Sequence, residues 1–195
     1  MSEEKLELDP KTTALVLIDL QKGIAGMQCV PHTAAEVIAN GAKLAESFRK
    51  HNMPVVLVNV NRGKNNELWV DVPVDQPMMP KGMTPPPDWD QLVPELNVQD
   101  SDILITKHQV GAFYGTALDL HLRRKGIKTI VIGGIATHQG VEATARGAAE
   151  LGFALVFAED AMAAMTEQQH DFMIKEMFPR MGRIRSTETI LSSII

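Results

Sequence analysis

Three groups of residues in this 195-residue chain have types and positions suited to chemistry. Asp19 directly follows the apolar run ALVLI (14–18), Lys107 directly follows DILIT (102–106), and the segment GGIATHQGVEATAR (133–146) leads from a third such run into a helical pattern. A carboxyl group and an ammonium brought together can move a proton or hold a developing charge. The start of a helix adds backbone amides that suit an anion. Each residue also has a plainer reading. An aspartate after a strand can cap a turn, and a lysine there can pack its stem at an edge with its charge in water. Cys29 is the single cysteine, and a lone cysteine is more often a small buried hydrophobe than a nucleophile.

The elements that must position these groups follow from hydrophobic period. Short runs at 14–18, 54–60, 102–106, 129–134, 154–160 and, weakly, 183–186 alternate with helical patterns, which predicts a parallel sheet covered on both faces. In such sheets ligands bind beyond the carboxyl ends of the strands, where Asp19 and Lys107 fall. Thr33 with Glu36 reads as a capping box opening a helix to about Lys50. Thr116 with Asp119 and Thr166 with Gln169 predict two more helices, ending at Lys125-Gly126 and at Pro179. Residues 139–151, rich in alanine, predict a helix packed closely on the sheet.

Residues 62–101 break this rhythm with Pro73, Pro77, Pro80, Pro85, Pro86, Pro87 and Pro94, interleaved with Trp69, Trp89, Met78, Met79 and Met83. So long an excursion predicts a lid or an interface arm.

Length and composition bound the rest. The chain suits one domain spanning residues 1–195, and 45% hydrophobic with 22% charged residues is globular. A net charge of −5 argues against nucleic acid or an anionic membrane as partner. No apolar run approaches the roughly 18 residues of a membrane helix, and the acidic start MSEEKLELD is unlike a leader peptide, so a cytoplasmic location is expected. One cysteine excludes an internal disulfide.

The segments TALVLIDLQKG (13–23) and ITKHQVGAFYGTALDLHLRRKGIKTIVIGGIATHQGVEATARGAAELGFALVFAEDAMAA (105–164) resemble the isochorismatase-like superfamily of cysteine hydrolases. The likeness covers nearly the whole chain and is weakest in 62–101. It implies a three-layer αβα sandwich, a Rossmann-type fold around a six-stranded, mainly parallel sheet ordered 3-2-1-4-5-6, which right-handed crossovers favour. It implies a catalytic Asp, Lys and Cys, carried over to Asp19, Lys107 and Gly140. Where the family's amidases read T-x-x-C-V, this chain reads Thr137-His138-Gln139-Gly140-Val141. Glycine offers no nucleophile, so thioester chemistry is excluded as written.

Glycine there resembles the family's true isochorismatases, which cleave a vinyl ether. The resemblance then implies a protonated Asp19 acting as general acid, with pyruvate and a dihydrodiol acid as products. It further implies a cis peptide at Ile135–Ala136 and an oxyanion hole at the Ala136 and Gly140 amides. Gln21, Phe113, Tyr114 and His138 are candidate substrate-binding residues. Arg62, Lys64 and Lys81 are candidate cations for a small carboxylic acid, and Arg146 is expected to tether its helix. Metal-binding relatives carry D-x-H where this chain reads Asn59-Val60-Asn61. The six histidines, His32, His51, His108, His121, His138 and His170, include no i,i+4 pair, so neither metal nor cofactor is expected. A homo-oligomer is expected from the family. Two other readings stay open: an amidase-like enzyme that lost its cysteine, and a non-catalytic member that binds a small acid or assembles.

Overall fold

The computed structural model describes residues 5–64, 67–68, 72–77 and 84–195. The expectations for Trp69, Met78, Met79, Pro80, Lys81 and Met83 lie outside the described residues.

Six strands, β1 (Thr13–Ile18), β2 (Val55–Val60), β3 (Ile103–Lys107), β4 (Thr129–Ile135), β5 (Ala154–Ala163) and β6 (Gly182–Arg185), form one sheet ordered β3-β2-β1-β4-β5-β6. Every pairing is parallel, so "mainly parallel" resolves to all-parallel. Strand β1 sits centrally and is buried throughout. Its alternate residues feed two cores. Leu15 and Leu17 pack toward α2 (Ala34–Lys50), whose Val37, Leu44 and Phe48 share that core. Ala14, Val16 and Ile18 pack on the other face with Leu118 and Leu122 of α3 (Leu118–Arg124) and Ala145 and Ala148 of α4 (Glu142–Glu150). Side chains that alternate across a pleated strand and meet helices on both faces explain the near-continuous apolar runs.

Local signals explain some of the helix boundaries. The capping boxes of Thr33 with Glu36 and of Thr166 with Gln169 both form, the second opening α5 (Glu167–Phe172). The expected box at Thr116 does not. Thr116 Oγ1 donates to Ala112 O at 2.5 Å and accepts from Leu118 N, and α3 starts after an uncapped Ala117. The expected helix over 139–151 divides into a π turn (Thr137–Val141) and α4. The one expected to Pro179 becomes α5, a second π turn and a 3₁₀ turn. Two short helices, α1 (Lys22–Ala25) and α6 (Thr187–Leu191), lacked a periodic signal.

The returning part of the 62–101 excursion is not an outstretched arm. It packs on the body of its own chain. Leu92 bridges Gln21, Val93 and Leu96 enter the core, and Lys22 Nζ reaches Asp88 Oδ2 at 3.0 Å. The Trp89 ring lies where any Cβ on Gly23 would stand, as close as 2.0 Å. Arg49 binds Asp102 through two bonds, at 2.7 and 3.0 Å, joining α2 to the start of β3. Among the described residues no helix is long and apolar enough to cross a membrane.

Candidate active site

Strands β1 and β3 are separated by β2, and their carboxyl ends deliver Asp19 and Lys107 to one point. Lys107 Nζ lies 2.8 Å from Asp19 Oδ2, and the side chains are 2% and 7% exposed. Neither of the plainer readings describes these two side chains. Lys107 is no solvated edge residue, because its ammonium is buried and also donates to Val110 O at 2.5 Å. Asp19 does take a left-handed turn conformation, φ 56°, one that aspartate tolerates better than most residues. Its carboxylate nonetheless points at the lysine rather than capping the turn.

The second oxygen, Asp19 Oδ1, is buried with no hydrogen-bond partner among the described residues. Burial pushes the Asp19 carboxyl up to about 6, against the pull of the Lys107 charge, its hydrogen bond and the charge of Arg62. A carboxylate short of hydrogen bonds loses more by leaving water than one nearby cation returns.

Gly140 completes the arrangement. It lies in the π turn beyond β4, where a Cβ would stand 2.9 Å from Asp19 Oδ2, 2.9 Å from Ile18 Cγ2 and 3.2 Å from Lys107 Nζ. Gly140 therefore faces the ion pair across a gap that a side chain would have to share with it. The Ile135–Ala136 bond ahead of the turn is cis, as the resemblance implied. Ala136 is buried, and its carbonyl accepts from Gln139 N and Val141 N. Thr144 Oγ1 donates to Gly140 O at 2.7 Å and accepts from Ala112 N, tying the turn to the loop after Lys107.

The other candidates divide. Gln21 is fully buried, and its amide is committed to backbone. Its Nε2 donates to Val60 O and Trp89 O, and its Oε1 accepts from Val60 N. It braces the site's frame rather than facing a substrate. Phe113 stacks on Phe153 with centroids 5.9 Å apart, and Tyr114 is 82% exposed. His138 lines a cavity of about 360 Å³ with Gln168, Gln169, Phe172 and Met173. Its Nδ1 is buried without a partner among the described residues, and burial lowers its pKa.

Arg62 stands 5.8 Å above the Trp89 ring, and its charge acts on Asp19. Lys64 contributes its amide to Glu67. Arg146 pairs with Glu142 one turn back, as expected of a helix tether. Sequence reasoning passed over two buried threonines, Thr137 and Thr144. Both lie inside the segment 133–146 already singled out, and their small hydroxyls there were the available clue.

At the D-x-H position, Asn59 binds Asp90 O and Thr106, and Asn61 binds Asp90 Oδ2. No three His, Cys, Asp or Glu side chains gather as a metal set among the described residues. The Cys29 thiol is buried, donates to Met27 O at 3.6 Å, and is pushed up by burial. That is the reverse of an activated nucleophile.

Comparison with known proteins agrees with this frame. The isochorismatase domain family matches residues 13–189. An uncharacterized isochorismatase family protein, YecD of Escherichia coli O157:H7, is 50% identical over 189 residues, 97% of this chain and 100% of that one. A second, YwoC of Bacillus subtilis strain 168, is 43% identical over 97% of each chain. The solved structure of an isochorismatase family protein from Burkholderia thailandensis superposes with a TM-score of 0.91 at 38% identity, covering 97% of this chain and 98% of that one.

Proposed function

This chain belongs to the isochorismatase family of hydrolases, and on that premise we propose that it cleaves an enol ether of the isochorismate type through Asp19, without metal and without a covalent intermediate. The observation that carries the reading is the pairing of a raised carboxyl with a bare glycine. Asp19 is held up to about 6, so near neutral pH part of the protein carries the acid form. At Gly140, where the family's amidases place their sulfur, there is no side chain to attack.

The protonated Asp19 gives its proton to the terminal enol-ether carbon, and the carbon bearing the ether oxygen becomes an oxocarbenium centre. Water adds there, the resulting hemiketal releases the ring alcohol, and pyruvate forms. The proton lost by the water restores the acid, so the net reaction consumes one water. Preorganised cations favour an anionic substrate, and the substrate's carboxylates in turn offset the pull of Lys107 and Arg62 against a protonated Asp19. Lys107 stands at the reacting carboxyl, and Arg62 lies near enough to act on it, so the pair offers charge for a substrate with two carboxylates.

The experiment is pyruvate release from isochorismate, read through a lactate dehydrogenase couple, beside Asp19→Asn. Turnover by the wild type that vanishes in the variant is the expected result. No pyruvate from the wild type overturns the reading.

A further inference from the structure

The π turn that sets Gly140 beside Asp19 and Lys107 is held at its first residue by a side chain from a distant part of the chain. Thr137 Oγ1 and His170 Nδ1 lie 3.0 Å apart, and both residues are buried. Ala136, which precedes the turn, supplies no side-chain cap. The turn's far end is bound separately, through Thr144 to Gly140 O. His170 comes from α5, so this bond fixes the turn to a helix that begins 30 residues later.

The ring of His170 is itself held. His32 meets it edge-on, with centroids 6.1 Å apart and planes at 83°. Burial and the neighbouring charges of His32 and Lys175 push His170 down to about 4, with Asp171 opposing. It is therefore neutral at the pH where the site would work.

We propose that His170 is a positioning residue, which acts through Thr137 to clamp the Gly140 turn over Asp19 and so keep water from the carboxyl. The argument is steric. The room for a side chain at Gly140 is closed by Asp19 Oδ2 and Ile18 Cγ2, each 2.9 Å from where a Cβ would stand, so the turn covers the carboxyl only while it stays in place. A turn freed at Thr137 opens toward the cavity lined by His138 and α5, and water then reaches Asp19. The inference rests on Asp19 as the functional carboxyl, and not on the substrate assigned to it.

The test follows the Asp19 carboxyl directly by ¹³C NMR titration, assigned with Asp19→Asn, in wild type, Thr137→Val, His170→Phe and His170→Asn. Loss of the bond in Thr137→Val and His170→Phe is expected to lower the Asp19 midpoint by at least one pH unit, because hydration favours the charged form. His170→Asn, whose amide can place a polar atom near the former Nδ1, is expected to keep the wild-type midpoint. Folded Thr137→Val and His170→Phe proteins with an unchanged midpoint overturn the proposal. Should His170→Phe fail to fold, the near-isosteric Thr137→Val decides alone. Failure of the enol-ether reading would show separately, as absent pyruvate release beside these same midpoints.

Discussion

Lys107 Nζ sits 2.8 Å from Asp19 Oδ2, yet the carboxyl is harder to ionise than a free one. Desolvation outweighs the ion pair because Asp19 Oδ1 is left bare, and a buried charge needs all its hydrogen bonds to be comfortable. A general acid must hold its proton, so kcat/KM for an enol ether is expected to fall tenfold per pH unit above about 6. A pH–rate profile from pH 5 to 8 measures this. A flat profile would show that Asp19 is not the proton donor.

The same carboxyl has a consequence for stability. Its folded value of about 6 exceeds the ordinary 3.8, so between those limits the native state holds the extra proton and stability declines as pH rises. His170 does the opposite. Its folded value of about 4 lies below the ordinary 6.5, so the unfolded chain holds the extra proton there and stability grows as pH rises. The two slopes largely cancel in the wild type. Asp19→Asn removes one of them, and its stability relative to wild type is expected to climb by on the order of 2–3 kcal/mol from pH 4 to 6.5. Urea midpoints at both ends test it, and parallel curves for the two proteins would contradict it.

How much of this was readable beforehand depended on how local the physics is. Asp19 and Lys107 could be placed because a parallel sheet collects strand ends, and that needs only hydrophobic period. The capping boxes of Thr33 and Thr166 were legible for the same reason, since donor and acceptor lie three residues apart. Thr116 carried the same spacing, but its hydroxyl accepts from Leu118 N, two residues on, rather than from Asp119. Thr137 with His170, and Gln21 with Val60 and Trp89, are contacts across 33, 39 and 68 positions. No local pattern announces them. The π turn had no signal of its own either, because its sequence is that of an ordinary helix start.

Gly140 faces the two charged groups closely enough that its replacements should separate the steric and chemical effects. Gly140→Ala places a methyl 2.9 Å from both Asp19 Oδ2 and Ile18 Cγ2, an overpacking expected to cost about 1–3 kcal/mol and to abolish enol-ether cleavage. Gly140→Cys adds a sulfur beside Lys107, where a cation favours the thiolate. Iodoacetamide is expected to modify it well before Cys29, which burial keeps protonated. Mass spectrometry of the alkylated peptides reads both cysteines at once. Equal rates would mean that the Lys107 charge does not reach position 140 in solution.

Gln21 bears on the frame rather than the chemistry. Its amide binds Val60 N and Val60 O in buried bonds and Trp89 O in a half-buried one. Gln21→Leu keeps much of the volume but takes the amide from Val60 N and Val60 O, while Trp89 O keeps the Gly23 N–H, and each unsatisfied buried group costs about 1–3 kcal/mol. Stability is therefore expected to fall by several kcal/mol in urea unfolding. Trp89 also carries the ring beneath Arg62, so substrate affinity should weaken more than the Asp19 midpoint shifts. A variant with wild-type stability would show that water replaces the amide at no cost, and that Gln21 is not what holds residues 84–93 against β2.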